Sequence, residues 1–317
     1  MEDKLIELIF SEQVLKDNPP VLLDLGGSGG IHEAFRKIEK YAKIICIDGD
    51  DRDFKVQESK NIIPIKTIVT EFANGTCDFY LTSSPHCSST LEPLNSSLTD
   101  YSFSDLFNVT NKIKVNSTTL TEVLSINNIS VVDWFKTDTQ GTDLRLFKSL
   151  PENVREKVIV AEFEPGIIDA YKGEDKFFEV LAYMSNKCFW VDDAKIKGSI
   201  RMNLAFLAKH VPENKLKMYL TVNKESPGWC EVSFINSFEQ PEMRSKRNLL
   251  LGIVFSVLKK QPGFALKLAF EGNVIYNEKI FGDIASLIME QFNKDLAIAR
   301  RRKLLIKLKV LIKKILS

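Results

Sequence analysis

Apolar and polar positions alternate in two rhythms along the first two hundred residues. Short runs of contiguous apolar or β-branched residues, the pattern of buried strands, are separated by stretches with the three-to-four-residue spacing of amphipathic helices. Residues 3–15 carry the helical spacing and stop at Pro19-Pro20. Val21 to Leu25 then reads as a buried strand, Gly26 to Gly30 as a loop and residues 31–40 as a helix. Further strands are predicted at Lys43–Ile47 and Asn61–Ile65. Beyond a Ser/Thr/Asn-rich stretch at residues 66–117, read as an inserted hairpin with loops, the alternation resumes. It predicts a helix at Thr119–Asn127, a strand at Val131–Thr137, a helix at Thr142–Ser149, a strand at Lys157–Phe163 and a helix at Glu174–Ser185. Two last strands are expected near Phe189–Val191 and Leu204–Ala208. Strand and helix in alternation imply an α/β domain with a mostly parallel, doubly wound sheet. From about Pro212 the pattern turns mainly helical, with Pro262-Gly263 between two helical stretches and a last helix from about Gly282 to Leu316. The expected organisation is a domain over residues 1–212 and a helical extension over 213–317.

Charge changes this picture at one end. The formal net charge is +1, but nine basic residues and one acid lie between Lys294 and Lys314, so this stretch is +8 and the remainder −7. Leu304, Leu305, Leu308, Leu311, Ile312 and Ile315 share one face of that basic helix. Such a helix buries its face on the body, on a second subunit or on an anionic membrane surface. Peripheral membrane contact or self-association through residues 294–316 is therefore expected. No aromatic residue interleaves the basic run, which argues against nucleic acid. The five cysteines show no metal-ligand rhythm, and no leader pattern is legible at the N-terminus, so a cytoplasmic protein is expected, in contact at most with the inner face of a membrane.

Three runs carry candidate chemistry. Asp24-Leu25-Gly26-Gly27-Ser28-Gly29-Gly30 places glycines between a buried strand and a helix, where backbone can approach a ligand closely. The carboxylate of Asp24 beside that loop suits a cationic sulfonium with an amino-acid tail better than a dinucleotide. Asp48 ends the next strand, where an acid can accept both hydroxyls of a ribose, with Asp50 and Asp51 competing for the role. The third run, Lys136-Thr137-Asp138-Thr139-Gln140-Gly141-Thr142-Asp143, lies at the carboxyl end of a central strand. Alternation points Lys136 and Asp138 to one side, where the lysine can hold the aspartate ionised.

These runs resemble the FkbM-type methyltransferases. The family's first glycine motif is matched by Asp24 to Gly30, and its strand-end Phe-Glu-Pro by Ile47-Asp48-Gly49. Its Lys-x-Asp-x-Gln-Gly-x-Glu run is matched by Lys136 to Asp143, and its later acidic strand by Ala161-Glu162-Phe163-Glu164-Pro165 with Tyr171. The resemblance spans about residues 20–208. Asp48 and Asp143 stand where the family has glutamate, and Gly26-Gly27-Ser28-Gly29 stands for its Gly-Ala-Asn.

The resemblance implies a class I, Rossmann-like methyltransferase fold. It also implies methyl transfer from S-adenosylmethionine to a hydroxyl oxygen of a sugar, glycan or other small molecule. Asp24, Gly26, Gly27, Gly29, Asp48 and Gln140 are the expected cofactor-binding residues. Asp138 is the first candidate for the base, with Lys136 as its partner and Glu162 and His86 in reserve. A divalent metal on Asp138 with Asp143 or Glu162 is compatible with the chemistry, but no spacing demands one. Two rival classes are a nicotinamide-dependent oxidoreductase and a non-catalytic binding module. The first would want GxGxxG in register and a proton-relay Tyr/Lys or His, neither of which is found.

Overall fold

A computed structural model of the chain describes residues 2–316 except Ser28, Gly29, Asp51, Asp53 and Asn74, and the side chains of Leu304 and of residues 306–316 are outside the description. Contacts divide it into two compact units, Pro19–Gln240 and Met1–Asn18 with Pro241–Ser317.

The first unit is built on seven strands: β1 (Val21–Leu25), β2 (Lys43–Asp48), β3 (Ile62–Lys66), β7 (Trp134–Thr137), β8 (Val160–Phe163), β9 (Phe189–Ser199) and β10 (Ser226–Asn236). The intervening β4 (Ile68–Val69), β5 (Thr76–Thr82) and β6 (Val109–Thr118) form a separate three-stranded sheet. The large sheet runs in the order β3-β2-β1-β7-β8-β10-β9. Its first five strands are parallel and β10 is antiparallel to both neighbours. β1 is buried at all five positions, as a central parallel strand covered on both faces should be. Leu23, Ile45, Phe135, Ala161 and Val232 belong to one continuous core around the sheet. The predicted inserted hairpin is β5 paired with β6.

Three sequence readings need correction. Leu204–Ala208 is not a strand but part of the helix Leu204–His210, started by Asn203, whose side chain accepts from the Phe206 amide at 2.9 Å. That cap outweighs a short apolar run. The helical reading beyond Pro212 missed β10, although Trp229, Glu231 and Ser233 alternate with Cys230, Val232 and Phe234 in strand fashion. Because β10 is a sheet strand, the units part at Gln240 and not at Pro212.

In the second unit the helix Glu2–Phe10 buries Leu5, Ile6, Ile9 and Phe10. The helix Lys246–Leu258 is buried at every position from Leu249 onward, as an all-round apolar helix must be. The helix Pro262–Tyr276 ends at Asn277 in the left-handed conformation, and Lys279–Leu316 forms one helix that starts slightly before the predicted Gly282. The apolar face read at Leu304 to Ile315 lies, apart from Leu305, outside the described side chains. Among the described residues no helix is long and apolar enough to cross a membrane.

Candidate active site

Strand order reverses between β1 and β7: β2 lies on the far side of one and β8 on the far side of the other. Open α/β sheets bind ligands outside the carboxyl ends of the strands at such a switch point. Here the two strand ends are tied together by backbone. The Asp138 amide donates to the Leu25 carbonyl at 2.9 Å and the Gly26 amide to the Ile47 carbonyl at 2.9 Å. Gly26 has φ +78°, and a β-carbon on it would lie 1.9 Å from the Asp138 carbonyl oxygen. Only glycine lets β1 end this close to β7. Gly27 follows with ordinary clearance, since a β-carbon on it would lie 3.6 Å from Cys46 Cβ. Gly29 and Asp51 lie outside the described residues.

Register explains where the charged side chains go. Asp24 on β1 pairs with Lys136 on β7, which pairs in turn with Glu162 on β8. The three form a row across the sheet, with Lys136 Nζ donating to Asp24 Oδ1 at 2.9 Å. Burial alone would lower the lysine's pKa, but Asp24, Asp138 and Glu162 outweigh it and raise it above the usual lysine range. Glu162 has His32 Nε2 4.0 Å away on its other side. The closest partner of Lys136 is thus Asp24.

A cavity of about 610 Å³ opens beyond this row. Asp24, Lys136 and Glu162 do not line it, whereas Gly26, Asp48, His86, Asp138 and Gln140 do. Asp48, Asp50, Asp138, Glu164, Glu174 and Glu231 reach it, and among the described residues no lysine or arginine does. Three of these acids are neutralised, Asp50 by Arg52, Glu174 by Lys176 and Glu231 by Lys197. Burial works against ionising Asp50, but the hydrogen bonds and charge of Arg52 hold its carboxyl below the usual range. Asp48 Oδ1 accepts from the Asp50 amide at 2.8 Å.

Asp138 is held from two sides. Gln140 Nε2 donates to its Oδ1 at 2.6 Å, and Glu164 shares a hydrogen bond with it. The Gln140 amide is oriented in turn by Tyr171, whose hydroxyl lies 3.0 Å from Gln140 Oε1 and donates to the Cys87 carbonyl at 2.8 Å. Gln140 itself has φ +55°, and Ser89 Oγ donates to its carbonyl at 2.7 Å. Gln140 therefore fixes the position of Asp138 as well as lining the cavity.

Asp143 is fully buried and takes no part in the cavity wall. Its Oδ1 accepts from the Thr139 amide at 2.9 Å and from the Thr139 and Thr137 hydroxyls at 2.7 and 3.1 Å, and its Oδ2 accepts from the Glu164 amide at 2.7 Å. This carboxylate locks the turn after β7 to the segment after β8. Burial nevertheless pushes its pKa up. Among the described residues no group of acids, histidines and cysteines is arranged to hold a metal ion.

The sequence pattern points to Glu162 and passes over Glu164. The missed signal is the parallel register: Lys136 pairs with Glu162, so the residue two beyond Glu162 corresponds to the residue two beyond Lys136, which is Asp138. Burial first, then the neighbouring Asp138, Asp143 and Glu231, push the Glu164 carboxyl up to about 9 from an ordinary 4.5. It keeps its proton at neutral pH and donates it to Asp138. The native state then binds a proton that the unfolded chain has released, so stability falls as pH rises through this window. Glu164→Gln keeps a donor to Asp138 and removes that slope. The variant should match the parent near pH 4.5 and be more stable by on the order of 3 kcal/mol at neutral pH, in denaturant melts across the range. A parent–variant difference independent of pH would rule out the shared proton.

The insertion closes the cavity from above. Phe79, Leu106 and the ring cluster of Phe103, Phe107, Tyr171 and Trp229 line it, with Phe103 and Phe107 centroids 5.2 Å apart. Arg52 clasps insertion and sheet together, donating to the Thr82 carbonyl at 2.9 Å and to Ser88 Oγ at 2.6 Å while paired with Asp50. His86 sits in the short turn Pro85–Cys87 on the same wall.

A protein-family model described as the methyltransferase FkbM domain matches residues 25–189, from the end of β1 to the start of β9. Comparisons with curated proteins and with solved structures give no match.

Proposed function

Since the chain belongs to the FkbM methyltransferase family, we infer that it transfers a methyl group from S-adenosylmethionine to a hydroxyl oxygen of a sugar, glycan or other small molecule. The family implies a class I methyltransferase-like fold, and the seven-stranded, mostly parallel sheet with its antiparallel β10 supports that reading. The observation that carries the inference is the charge of the cavity lining, where Asp48 and Asp138 have no lysine or arginine beside them on the wall among the described residues. Such a wall favours a ligand that brings a sulfonium and an ammonium. It opposes the diphosphate of a nicotinamide dinucleotide, for which the field has the wrong sign.

The residues fit the cofactor in two further respects. Gly26 removes the side chain where strand ends and ligand must come together, and Asp48 stands at the end of β2 to accept ribose hydroxyls. When bound, S-adenosylmethionine supplies an electrophilic methyl group on a positively charged sulfur. Asp138 would take the proton of the acceptor hydroxyl as that oxygen is methylated. Gln140 and Glu164 hold the Asp138 carboxyl in place. Tyr171 orients Gln140, and the aromatic wall of the insertion excludes water and orients the acceptor, which is where most of the rate enhancement of an alignment-limited transfer arises.

Isothermal titration calorimetry tests the assignment directly. S-Adenosylmethionine and its demethylated product should bind, and NAD should not. Tight NAD binding without S-adenosylmethionine binding would favour the oxidoreductase, and binding of neither would favour a fold retained without catalysis.

A further inference from the structure

Between β9 and β10 the chain leaves the sheet and makes two helices, Leu204–His210 and Glu213–Val222. In the second of these no residue is buried. On a helical wheel Leu216, Met218, Tyr219, Leu220 and Val222 cover an arc of roughly 200° at about 100° per residue, broken only by Lys215. Met218 is 57% exposed and Val222 76%, and Phe206 on the first helix is 62% exposed with its ring 4.5 Å from that of His210. An apolar surface this large on helices that pack on little else is a contact surface.

Charge identifies what it contacts. Residues 200–225 carry Arg201, Lys209, Lys215, Lys217 and Lys224 against Glu213 and Glu225, a net charge of +3. The four lysines are exposed, and none makes an ion pair among the described residues. Apolar side chains flanked by exposed lysines, whose stems can lie along the same surface, match the interface of an anionic bilayer. Two copies of this surface face to face would set like charges against each other.

The helical pair is also held beside the cavity. The Ser102 amide donates to the Ile200 carbonyl at 2.9 Å, Ser102 and Ser199 hydroxyls are 2.7 Å apart, and Asn203 Nδ2 donates to the Thr99 carbonyl at 2.8 Å. Arg201 lies over the Tyr101 ring. These bonds fasten the start of the excursion to the inserted segment whose Phe103 and Phe107 line the cavity, and Gly198, Ser199, Gly228 and Trp229 at its two roots line the cavity as well.

We propose that the helical pair spanning residues 204–222 is an interfacial anchor that docks the protein on an anionic lipid surface. This surface is separate from the basic C-terminal helix, and its binding to lipid does not depend on the reaction the cavity performs. The test is co-sedimentation of the full chain with vesicles of phosphatidylcholine, with and without phosphatidylglycerol. The parent should sediment with the anionic vesicles and be released by salt. Phe206→Ser/Met218→Ser/Val222→Ser should weaken that partition at least ~10-fold with the C-terminal helix intact, because the apolar contact is lost. Lys209→Glu/Lys215→Glu/Lys217→Glu/Lys224→Glu, again with the C-terminal helix intact, should weaken the preference for anionic lipid. All seven side chains are exposed, so both variants should melt with the parent. The proposal is overturned if the parent ignores anionic vesicles, or if the apolar variant binds them as the parent does. It is equally overturned if the parent is a dimer in gel filtration and the apolar variant a monomer, since a second copy would then cover the surface. Failure of the methyltransferase assignment would appear in the calorimetry and leave the vesicle result unchanged.

Discussion

Asp138→Asn should lower turnover roughly 100-fold or more while the affinity for S-adenosylmethionine changes only a few-fold. The substitution keeps size and planarity, so the side-chain oxygen can still accept from Gln140 Nε2, which sits 2.6 Å from Oδ1 in the parent. What the amide lacks is the capacity to take a proton. Single-turnover measurement at saturating cofactor separates this from a binding defect. A loss of affinity with normal turnover of the bound cofactor would make Asp138 a cofactor ligand, and no change in either would leave it a structural cap. Gln140→Ala offers a check on positioning. Asp138 would lose its oriented donor, and the Tyr171 hydroxyl the amide oxygen 3.0 Å from it, so turnover should fall with a smaller effect than in Asp138→Asn.

How much of this was legible in the sequence depended on how local the signal was. The strand Val21–Leu25 and the glycines after it are local features, and the structure has the strand, with Gly26 and Gly27 at its end, in place. Asp138 and Gln140 were also readable, since strand-end position and spacing are enough to bring them to a switch point. The pairing of Lys136 was not. Alternation within β7 puts Lys136 and Asp138 on one side, but only the register between β1 and β7 sets Lys136 opposite Asp24. Asp24, read as a ligand for a cationic group, has its charge answered within the sheet, at 2.9 Å from Lys136 Nζ. Glu164 was hidden for the same reason, because its equivalence to Asp138 exists only across the β7–β8 pairing. The strand β10 was lost where the mainly helical pattern on either side of it, over residues 213–222 and 246–258, outweighed a single alternating run. Non-local pairing is what a linear reading lacks, and both the Lys136–Asp24 pair and Glu164 were hidden by it.

The same row of charges gives the largest expected effect on stability. Lys136→Met should destabilise the protein by about 3–5 kcal/mol, the range for breaking a buried ion pair from one side. The side chain of Asp24 is 1% exposed and that of Lys136 19%, so water cannot replace the lost partner. Glu162, next in the row, also loses the cation between it and Asp24. The pH dependence follows from the direction of the lysine's shift. Because its folded pKa is raised, its contribution is complete below the ordinary lysine value of 10.5 and is lost only as pH passes the still higher folded value. The deficit of the variant should therefore stay constant from neutral pH into the mildly alkaline range. Replacing both partners with apolar residues of similar volume, Asp24→Leu/Lys136→Met, should recover part of the loss, since Asp24 is then no longer a buried charge without its partner. This double variant also decides what the pair does. Neither residue lines the cavity, so cofactor affinity and turnover should stay within a few-fold of the parent once stability is restored. A stable double variant that no longer binds S-adenosylmethionine would return Asp24 to the cofactor site. One that binds the cofactor but does not turn over would make Lys136 part of the chemistry through its charge on Asp138. A single variant as stable as the parent, or a double variant no better than the single, would mean the ion pair contributes nothing that the surrounding sheet does not already supply.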